Sequence, residues 1–215
     1  MKQIKKINIL IADDHPIVRE GFKKTLSDTY DMVISDEASN GQEVFELVSD
    51  KKYDIMLLDI SMPGRGGLEI LKELKGKYPS LPVLIVSIYP EEQYAMRAFR
   101  AGASGYLTKS SAPHELITAI RKITAGGRYV SQSLAEKMTY YIDQYTDKLP
   151  HETLPDREYQ VMLMIASGNT VTEIARELSL SVKTISTYRN NILEKMKMHN
   201  NADMTLYAIQ NKLIG

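Results

Sequence analysis

The residues Ile9-Leu10-Ile11-Ala12-Asp13-Asp14-His15-Pro16 give the strongest indication of the fold of this chain. A short apolar run followed at once by polar residues is typical of a buried strand in a parallel sheet. Two later segments repeat the pattern, because Ile55-Met56-Leu57-Leu58 ends at Asp59 and Ser104-Gly105-Tyr106-Leu107-Thr108 ends at Lys109. Residues just past the carboxyl ends of parallel strands line the ligand crevice of such sheets. The sequence therefore predicts an acidic crevice at one sheet edge.

The charged residues at this edge point to phosphoryl chemistry. Asp13, Asp14 and Asp59 would repel one another there, and Lys109 alone would not offset them. A divalent cation and a phosphoryl group would complete the balance. Taken singly, each aspartate could be an ordinary helix N-cap or turn residue. The joint pattern, with Ser87 after a fourth apolar run, favours a metal-assisted phosphoryl acceptor.

Composition excludes several other classes. The chain has 27 basic and 27 acidic residues, so no overall basicity indicates nucleic acid binding. It has no cysteine, which excludes a disulfide framework, a thiolate metal site and cysteine catalysis. The apolar run near the N-terminus is too short for a signal peptide or a membrane span. We therefore expect a cytoplasmic protein with no membrane association.

Strand-like and amphipathic helical segments alternate five times in the first half of the chain. Strands are expected over 7–12, 32–37, 54–58, 82–87 and 104–108. Helices are expected over 15–28, 41–50, 66–77, 91–101 and 113–125. This alternation predicts an α/β, doubly wound five-stranded parallel sheet with helices on both faces. The order 2-1-3-4-5 is expected by analogy with flavodoxin-like folds.

The pattern changes after Gly126-Gly127, where no further strand-like run appears. Ser133 could cap a connector helix over 133–145, and the polar residues 146–153 are typical of a linker. We expect three regions. They are a sheet domain over 1–126, a helical connector and linker over 127–149, and a small all-α domain over 150–215.

The sequence of the last region predicts four short helices, two of which form a helix-turn-helix. The first covers 156–167, the second starts at the capping box Thr170-Val171-Thr172-Glu173, and the third starts at Ser181. The inward face expected for the third helix comprises Val182, Ile185, Ile192 and Leu193. A stripe on the last helix could pair two domains or close the domain's own core. It comprises Ala202, Leu206, Ile209 and Leu213.

The outward face of the third helix is suited to DNA. Its polar residues are Lys183, Thr184, Ser186, Thr187, Arg189, Asn190 and Asn191, which can contact base edges and phosphates. Any solvated helix face has a similar mixture, so the face alone is weak support. Residues 181–199 add a basic excess of Lys183, Arg189, Lys195 and Lys197 over Glu194. The excess is modest, which predicts weak monomer binding and a need for dimers.

With both halves considered, the chain resembles a two-component response regulator of the NarL/FixJ class, a receiver domain joined to a LuxR-type helix-turn-helix. The receiver motifs are Ile11-Ala12-Asp13-Asp14-His15-Pro16, Leu58-Asp59-Ile60-Ser61-Met62-Pro63, Gly66-Gly67-Leu68-Glu69, Ser87 and the run from Ala101 to Lys109. The output motifs are Arg157-Glu158, Ile174-Ala175, Leu178, Ser181, Lys183-Thr184-Ile185 and Arg189-Asn190-Asn191-Ile192.

The resemblance implies a role for each matching residue. Asp59 would accept the phosphoryl group, and Mg²⁺ would be held by Asp13, Asp14, Asp59 and the backbone carbonyl of Ser61. Lys109 would pair with phosphoryl oxygens, Ser87 would hydrogen-bond to the group, and Tyr106 would repack with it. The implied partners are a sensor histidine kinase and double-stranded promoter DNA, with a homodimer forming on phosphorylation.

The chain departs from the family pattern at three positions. Pro155 stands where a capping Thr is usual, and Ser186 and Tyr188 stand where the recognition helix often carries Lys and His. The change at Ser186 removes an expected phosphate contact and leaves the fold intact.

Two other functions are open from the sequence. An aspartyl phosphatase of the haloacid-dehalogenase type has a second Asp two residues after its nucleophile, where this chain has Ser61. A regulator that dimerises and binds protein partners without DNA is the other alternative.

Overall fold

The apolar runs form five parallel strands in the first half of the chain. They are β1 (Ile7–Ala12), β2 (Met32–Ala38), β3 (Ile55–Leu58), β4 (Val83–Ser87) and β5 (Gly105–Thr108). Their order across the sheet is β2-β1-β3-β4-β5, which confirms the predicted doubly wound fold. The computed structural model describes residues 6–111, 113–132, 134–136 and 149–214. The chain divides into two units, Met1–Glu136 and Lys137–Gly215, and each is described by itself.

Five helices flank this sheet, each starting close to its predicted residue. They are α1 (Pro16–Ser27), α2 (Gly41–Asp50), α3 (Gly67–Lys77), α4 (Glu91–Arg100) and α5 (Pro113–Thr124). Proline opens α1, where its missing N–H costs no hydrogen bond. The Asn40 side chain caps α2 by accepting a hydrogen bond from the Glu43 backbone N–H.

The central strands carry the core and align the functional edge. Every residue of β3 and β4 is buried, as expected for strands covered on both faces. Ala12 pairs with Ala38 on one side and with Leu58 on the other, so β1, β2 and β3 end at the same level. This register brings the residues that follow β1 and β3 side by side.

The second unit is helical. It begins with a 3₁₀ turn over Pro150–Thr153, followed by α6 (Asp156–Ala166), α7 (Val171–Glu177), α8 (Val182–Met196) and α9 (Asn201–Gln210). Thr170 and Glu173 form the predicted capping box at the start of α7. The turn lies inside the stretch that composition predicted to be linker. It is ordered by His151, which is buried and has its Nδ1 2.9 Å from the Tyr207 hydroxyl oxygen.

The structure corrects the expected burial of Val182 and shows which residues of the stripe on the last helix are exposed. Val182, predicted inside, is 48% exposed because it is the first residue of α8 and lies at the open end of the helix. In the last helix, Leu206 and Ile209 are 57% and 56% exposed, and Ala202 is also exposed. Of the predicted stripe, Leu213 alone among these positions is buried, after α9 has ended. The core face of α9 comprises Met204 and Ala208.

Most of the connector helix predicted over 133–145 lies outside the described residues; residues 134–136 within it are helical. Across the described ranges, no helix is both long enough and apolar enough to cross a membrane.

Candidate functional site

Two buried carboxylates are fixed at the carboxyl edge of the sheet. Asp13 and Asp59 follow β1 and β3, and each is only 2% exposed. The Asp13 backbone N–H donates to the Ala38 carbonyl at 3.0 Å, and the Asp59 N–H donates to the Ala12 carbonyl at 2.9 Å. These bonds continue the sheet one residue past the strands. The two side chains therefore start from rigid backbone.

Lys109 joins the two carboxylates. Its Nζ lies 2.7 Å from Asp13 Oδ2 and 2.9 Å from Asp59 Oδ2. The Lys109 backbone N–H donates to the Ser87 carbonyl at 2.7 Å, which holds the lysine at the end of β5. Asp13, Asp59 and Lys109 therefore lie together at the sheet edge, as the sequence predicted.

Burial and charge act in opposite directions on these groups. Burial raises the pKa of Asp59 above its ordinary value, and the neighbouring Lys109 ammonium only partly offsets the effect. Burial lowers the pKa of Lys109, but attraction to the Asp59 and Asp13 carboxylates is larger, so this pKa is raised overall. The lysine therefore stays charged, while the Asp59 carboxylate is costly to ionise.

Several oxygens of the site are open. Asp59 Oδ1, Asp14 Oδ1 and Ser61 Oγ are buried and have no hydrogen-bond partner among the described residues. Asp13, Asp14, His15 and Asp59 each offer one ligand atom, and these atoms lie within 4.8 Å of one another. Carboxylate oxygens at this spacing fit a hard divalent cation. His15 was absent from the predicted ligand set, although it directly follows the acidic pair in the sequence.

Ser87 and Tyr106 meet at the backbone of Tyr89. Ser87 is fully buried at the end of β4, and its Oγ accepts a hydrogen bond from the Tyr89 N–H at 3.2 Å. The Tyr106 hydroxyl donates to the Tyr89 carbonyl at 2.9 Å, and its ring is fully buried. In this structure Tyr106 lies in the inward position. Tyr89 was not singled out from the sequence, because it acts through its backbone.

A glycine brings the start of α3 against the backbone of Asp59. A Cβ atom on Gly67 would lie 2.0 Å from the Asp59 carbonyl oxygen, which no side chain tolerates. The Gly67 N–H donates to the Ile60 carbonyl at 2.9 Å. The start of α3 is therefore packed directly on the backbone that carries Asp59.

The second unit presents the predicted polar face of α8. Ser181 caps the helix by accepting from the Thr184 N–H at 3.0 Å. Lys183, Thr187 and Asn190 are exposed, and Thr184, Ser186 and Arg189 are partly exposed. The Ser186 and Thr187 hydroxyls donate to carbonyls four residues earlier, at 2.9 and 3.0 Å. Most of the face is accessible to a ligand.

Three residues of this region make contacts within the domain. Arg189 Nε donates to Asn201 Oδ1 at 2.6 Å, at the start of α9. Asn191, expected on the outward face, donates to Glu158 Oε1 at 3.1 Å. Lys195 lies 2.7 Å from Glu158 Oε2, a carboxylate that is buried. Since Glu158 neutralises Lys195, the basic excess rests on Lys183, Arg189 and Lys197.

Both units match known protein families. Residues 9–121 match the response regulator receiver domain, and residues 152–208 match the bacterial regulatory proteins of the luxR family. Response regulator UvrY of Escherichia coli is 35% identical over 208 residues, covering 96% of this chain and 95% of UvrY. Response regulator GacA of Pseudomonas aeruginosa is 35% identical over 210 residues, covering 97% and 98%.

Solved structures agree with these relatives. RcsB of Salmonella typhimurium matches with a TM-score of 0.68 at 25% identity, covering 94% of this chain and 96% of RcsB. A structure of two RcsB dimers bound to two parallel DNAs matches with a TM-score of 0.60 at 25% identity, covering 94% and 98%. The resemblance to response regulators predicted from the motifs is thereby confirmed.

Proposed function

This chain belongs to the response regulators with a receiver domain and a LuxR-type helix-turn-helix, and within that family we propose that Asp59 is its phosphoryl acceptor. The chain is a phosphorylation-regulated, DNA-binding transcription regulator, with a sensor histidine kinase and promoter DNA as partners. The observation that carries the assignment is the asymmetry of the Asp59 carboxylate. Its Oδ2 contacts Lys109, whereas its Oδ1 is buried and has no hydrogen-bond partner in the described part of the chain.

The chemistry needs little from the protein beyond position and charge. Asp59 Oδ1 attacks the phosphorus, the bond from phosphorus to the donor's histidine nitrogen breaks, and an acyl phosphate forms. Such transfers depend on alignment and on neutralising the equatorial oxygens. Lys109 Nζ, already 2.9 Å from Asp59 Oδ2, supplies one positive charge at the site. The chain thus takes part in its own phosphorylation, while its function remains that of a regulator.

Magnesium fits the remaining ligands. Asp13, Asp14 and Asp59, with the backbone carbonyl of Ser61, would hold Mg²⁺ through hard oxygen atoms. When bound, the ion offsets the carboxylate repulsion and the charge on the transferred group. The buried, open oxygens of Asp14 and Asp59 support this assignment.

The switch would operate through the backbone of Tyr89. A phosphoryl group on Asp59 adds negative charge and three acceptor oxygens at the sheet edge. Ser87, whose Oγ now accepts from the Tyr89 N–H, can donate its hydroxyl proton to such an oxygen. Tyr106 holds the carbonyl of the same Tyr89. The phosphoryl group would thereby bias the loop after β4 and the surface beside it.

We assign DNA contact to the exposed face of α8. The contacting residues are Lys183, Thr184, Ser186, Thr187, Arg189 and Asn190. Two chains on DNA, as in the RcsB complex, would place two such helices in the major groove about one helical turn apart. The exposed Leu206 and Ile209 of α9 are the residues we assign to pairing of the output domains.

Intact-mass measurement after incubation with acetyl phosphate tests the acceptor. Wild type should gain one phosphoryl group with Mg²⁺ and none after chelation. Asp59→Asn should gain none, because its amide lacks the nucleophilic oxygen. Asp50→Asn, an exposed aspartate at the end of α2, is the matched control and should behave as wild type. Unchanged labelling of Asp59→Asn would show that another residue is the acceptor.

A further inference from the structure

The acidic site contains a nitrogen ligand that an all-oxygen magnesium site does not need. We propose that His15 coordinates the metal through Nδ1, so that the site binds late first-row divalent ions such as Ni²⁺ and Co²⁺ more tightly than Mg²⁺. The inference rests on the proposed function in that Asp14 and Asp59 are taken as metal ligands.

The distances around His15 fit ligands of one ion. His15 Nδ1 lies 3.0 Å from Asp14 Oδ1 and 3.3 Å from Asp13 Oδ1. Two neighbouring ligands of an octahedral ion, each bonded at about 2.1 Å, lie about 3.0 Å apart. The pair formed by His15 and Asp14 therefore has the separation of two adjacent positions around one metal.

The contact between His15 and Asp14 lacks the geometry of a hydrogen bond. Asp14 Oδ1 is buried and accepts no hydrogen bond from the described residues, although the imidazole nitrogen is only 3.0 Å away. The Nδ1 atom and the oxygen are therefore close together without being hydrogen-bonded to each other. Two ligands of one ion are close in the same way, because each is bonded to the metal and not to the other.

The backbone holds His15 in place for this role. Its N–H donates to Asp13 Oδ1 at 2.8 Å, and the residue is extended at the start of α1 with φ −94° and ψ 107°. Asp59 belongs to the same group of residues whose ligand atoms lie within 4.8 Å of one another, and its Oδ1 is buried without a hydrogen-bond partner among the described residues. Asp59, which follows a different strand, can therefore supply the ion with a third ligand atom.

An imidazole ligand changes the preference among metals. Mg²⁺ favours oxygen and keeps several waters, so the loss of one nitrogen costs it little. Ni²⁺ and Co²⁺ bind imidazole well and lie higher in the affinity series of divalent ions. The side chain of His15 should therefore contribute strongly to Ni²⁺ binding and weakly to Mg²⁺ binding.

Calorimetric titration of the untagged full chain with NiCl₂ and with MgCl₂ tests this. His15→Gln should weaken Ni²⁺ binding by at least about tenfold, the lower bound seen when even indirect metal partners are lost. Mg²⁺ affinity should change by less than about twofold, since its ligands are oxygens. His114→Gln removes an exposed histidine of α5 and should match wild type for both metals. Asp14→Asn should weaken both metals, which assigns Ni²⁺ to this site.

A spectrum separates direct coordination from a supporting role. The visible absorption of bound Co²⁺ should shift between wild type and His15→Gln, because a nitrogen ligand is replaced by oxygen. Equal weakening of Ni²⁺ and Mg²⁺ in His15→Gln, or an unchanged Co²⁺ spectrum, would overturn the inference. A wild type that binds Ni²⁺ through His15 but shows no Mg²⁺ binding and no Mg²⁺-dependent phosphorylation would contradict the proposed function alone.

Discussion

Lys109 lies between two buried carboxylates, so its one positive charge is shared between Asp13 and Asp59. Asp13, Asp59 and Lys109 were predictable from sequence because parallel strands end at one edge, which converts three separate strand ends into one cluster. His15 and Tyr89 were not predicted, because the position of the His15 imidazole beside Asp14 and the backbone hydrogen bonds of Tyr89 depend on three-dimensional contacts. Neither property has a signature in residue type.

Removing the charge of Asp59 should stabilise the fold at neutral pH. Burial raises the Asp59 pKa above the ordinary value of 3.8, so the folded state holds its proton more tightly than the unfolded chain. For a raised carboxyl pKa, wild-type stability falls as pH rises from the unfolded toward the folded pKa. Asp59→Asn should therefore have the higher Tm near pH 7, with a gap that closes toward about pH 4. Thermal unfolding in the presence of a chelator measures this Tm difference, with Asp50→Asn as the control. A Tm difference that widens on acidification would contradict the raised pKa of Asp59.

At the scale of elements, the strands and helices follow from local sequence and the exceptions from distant contacts. Apolar runs and turn residues predict β1 to β5 because a parallel sheet buries both faces of each strand. The 3₁₀ turn at 150–153 was missed because its composition is polar. It is ordered by His151, whose partner Tyr207 is 56 positions away along the chain. The predicted burial of Val182 failed because helix periodicity ignores where the helix begins.

The start of α3 should not tolerate a methyl group. Gly67→Ala would place Cβ 2.0 Å from the Asp59 carbonyl oxygen, so α3 or the acceptor backbone must move. Overpacking of this kind costs about 1–3 kcal/mol, and acetyl phosphate labelling should slow with it. Gly76→Ala in the same helix meets nothing within 4 Å and should stabilise by about 0.5–1 kcal/mol. Urea unfolding of both variants checks the contrast; equal effects would mean that α3 does not pack on the acceptor as described.

Two lysines of α8 should differ in what they do. Lys183 is exposed, so Lys183→Ala should weaken DNA binding and reduce its log–log salt slope by about one per lost phosphate contact. Lys195 pairs with the buried Glu158, so Lys195→Ala should lower domain stability and leave the salt slope unchanged. Fluorescence anisotropy over a salt series measures the slopes. If the salt slope changes in Lys195→Ala and not in Lys183→Ala, then Lys195 contacts the phosphate and the assignment to Lys183 is wrong.

For the whole molecule, affinity for DNA depends on the local charge of α8 and on the number of chains that bind together. The chain carries 27 basic and 27 acidic residues, so it has no general attraction to the phosphate backbone. On α8, the pairing of Lys195 with Glu158 further reduces the local excess. A dimer doubles the number of phosphate contacts and hence the salt slope. Phosphorylation can thus control DNA binding by controlling association.

The exposed face of α9 should be required for that association. Leu206 and Ile209 are 57% and 56% exposed, and a single buried charge at an apolar interface costs more than the contact gains. Leu206→Glu should therefore abolish the dimer that beryllium fluoride, a phosphoryl mimic, induces in wild type, with no loss of Tm. Gln210→Glu adds the same charge at an exposed neighbouring position and should leave the dimer intact. Light scattering coupled to size exclusion, with and without the mimic, gives the mass of each species. If Leu206→Glu still dimerises with beryllium fluoride, another surface joins the two chains. If beryllium fluoride changes neither the mass nor the DNA affinity of wild type, phosphorylation does not act through association.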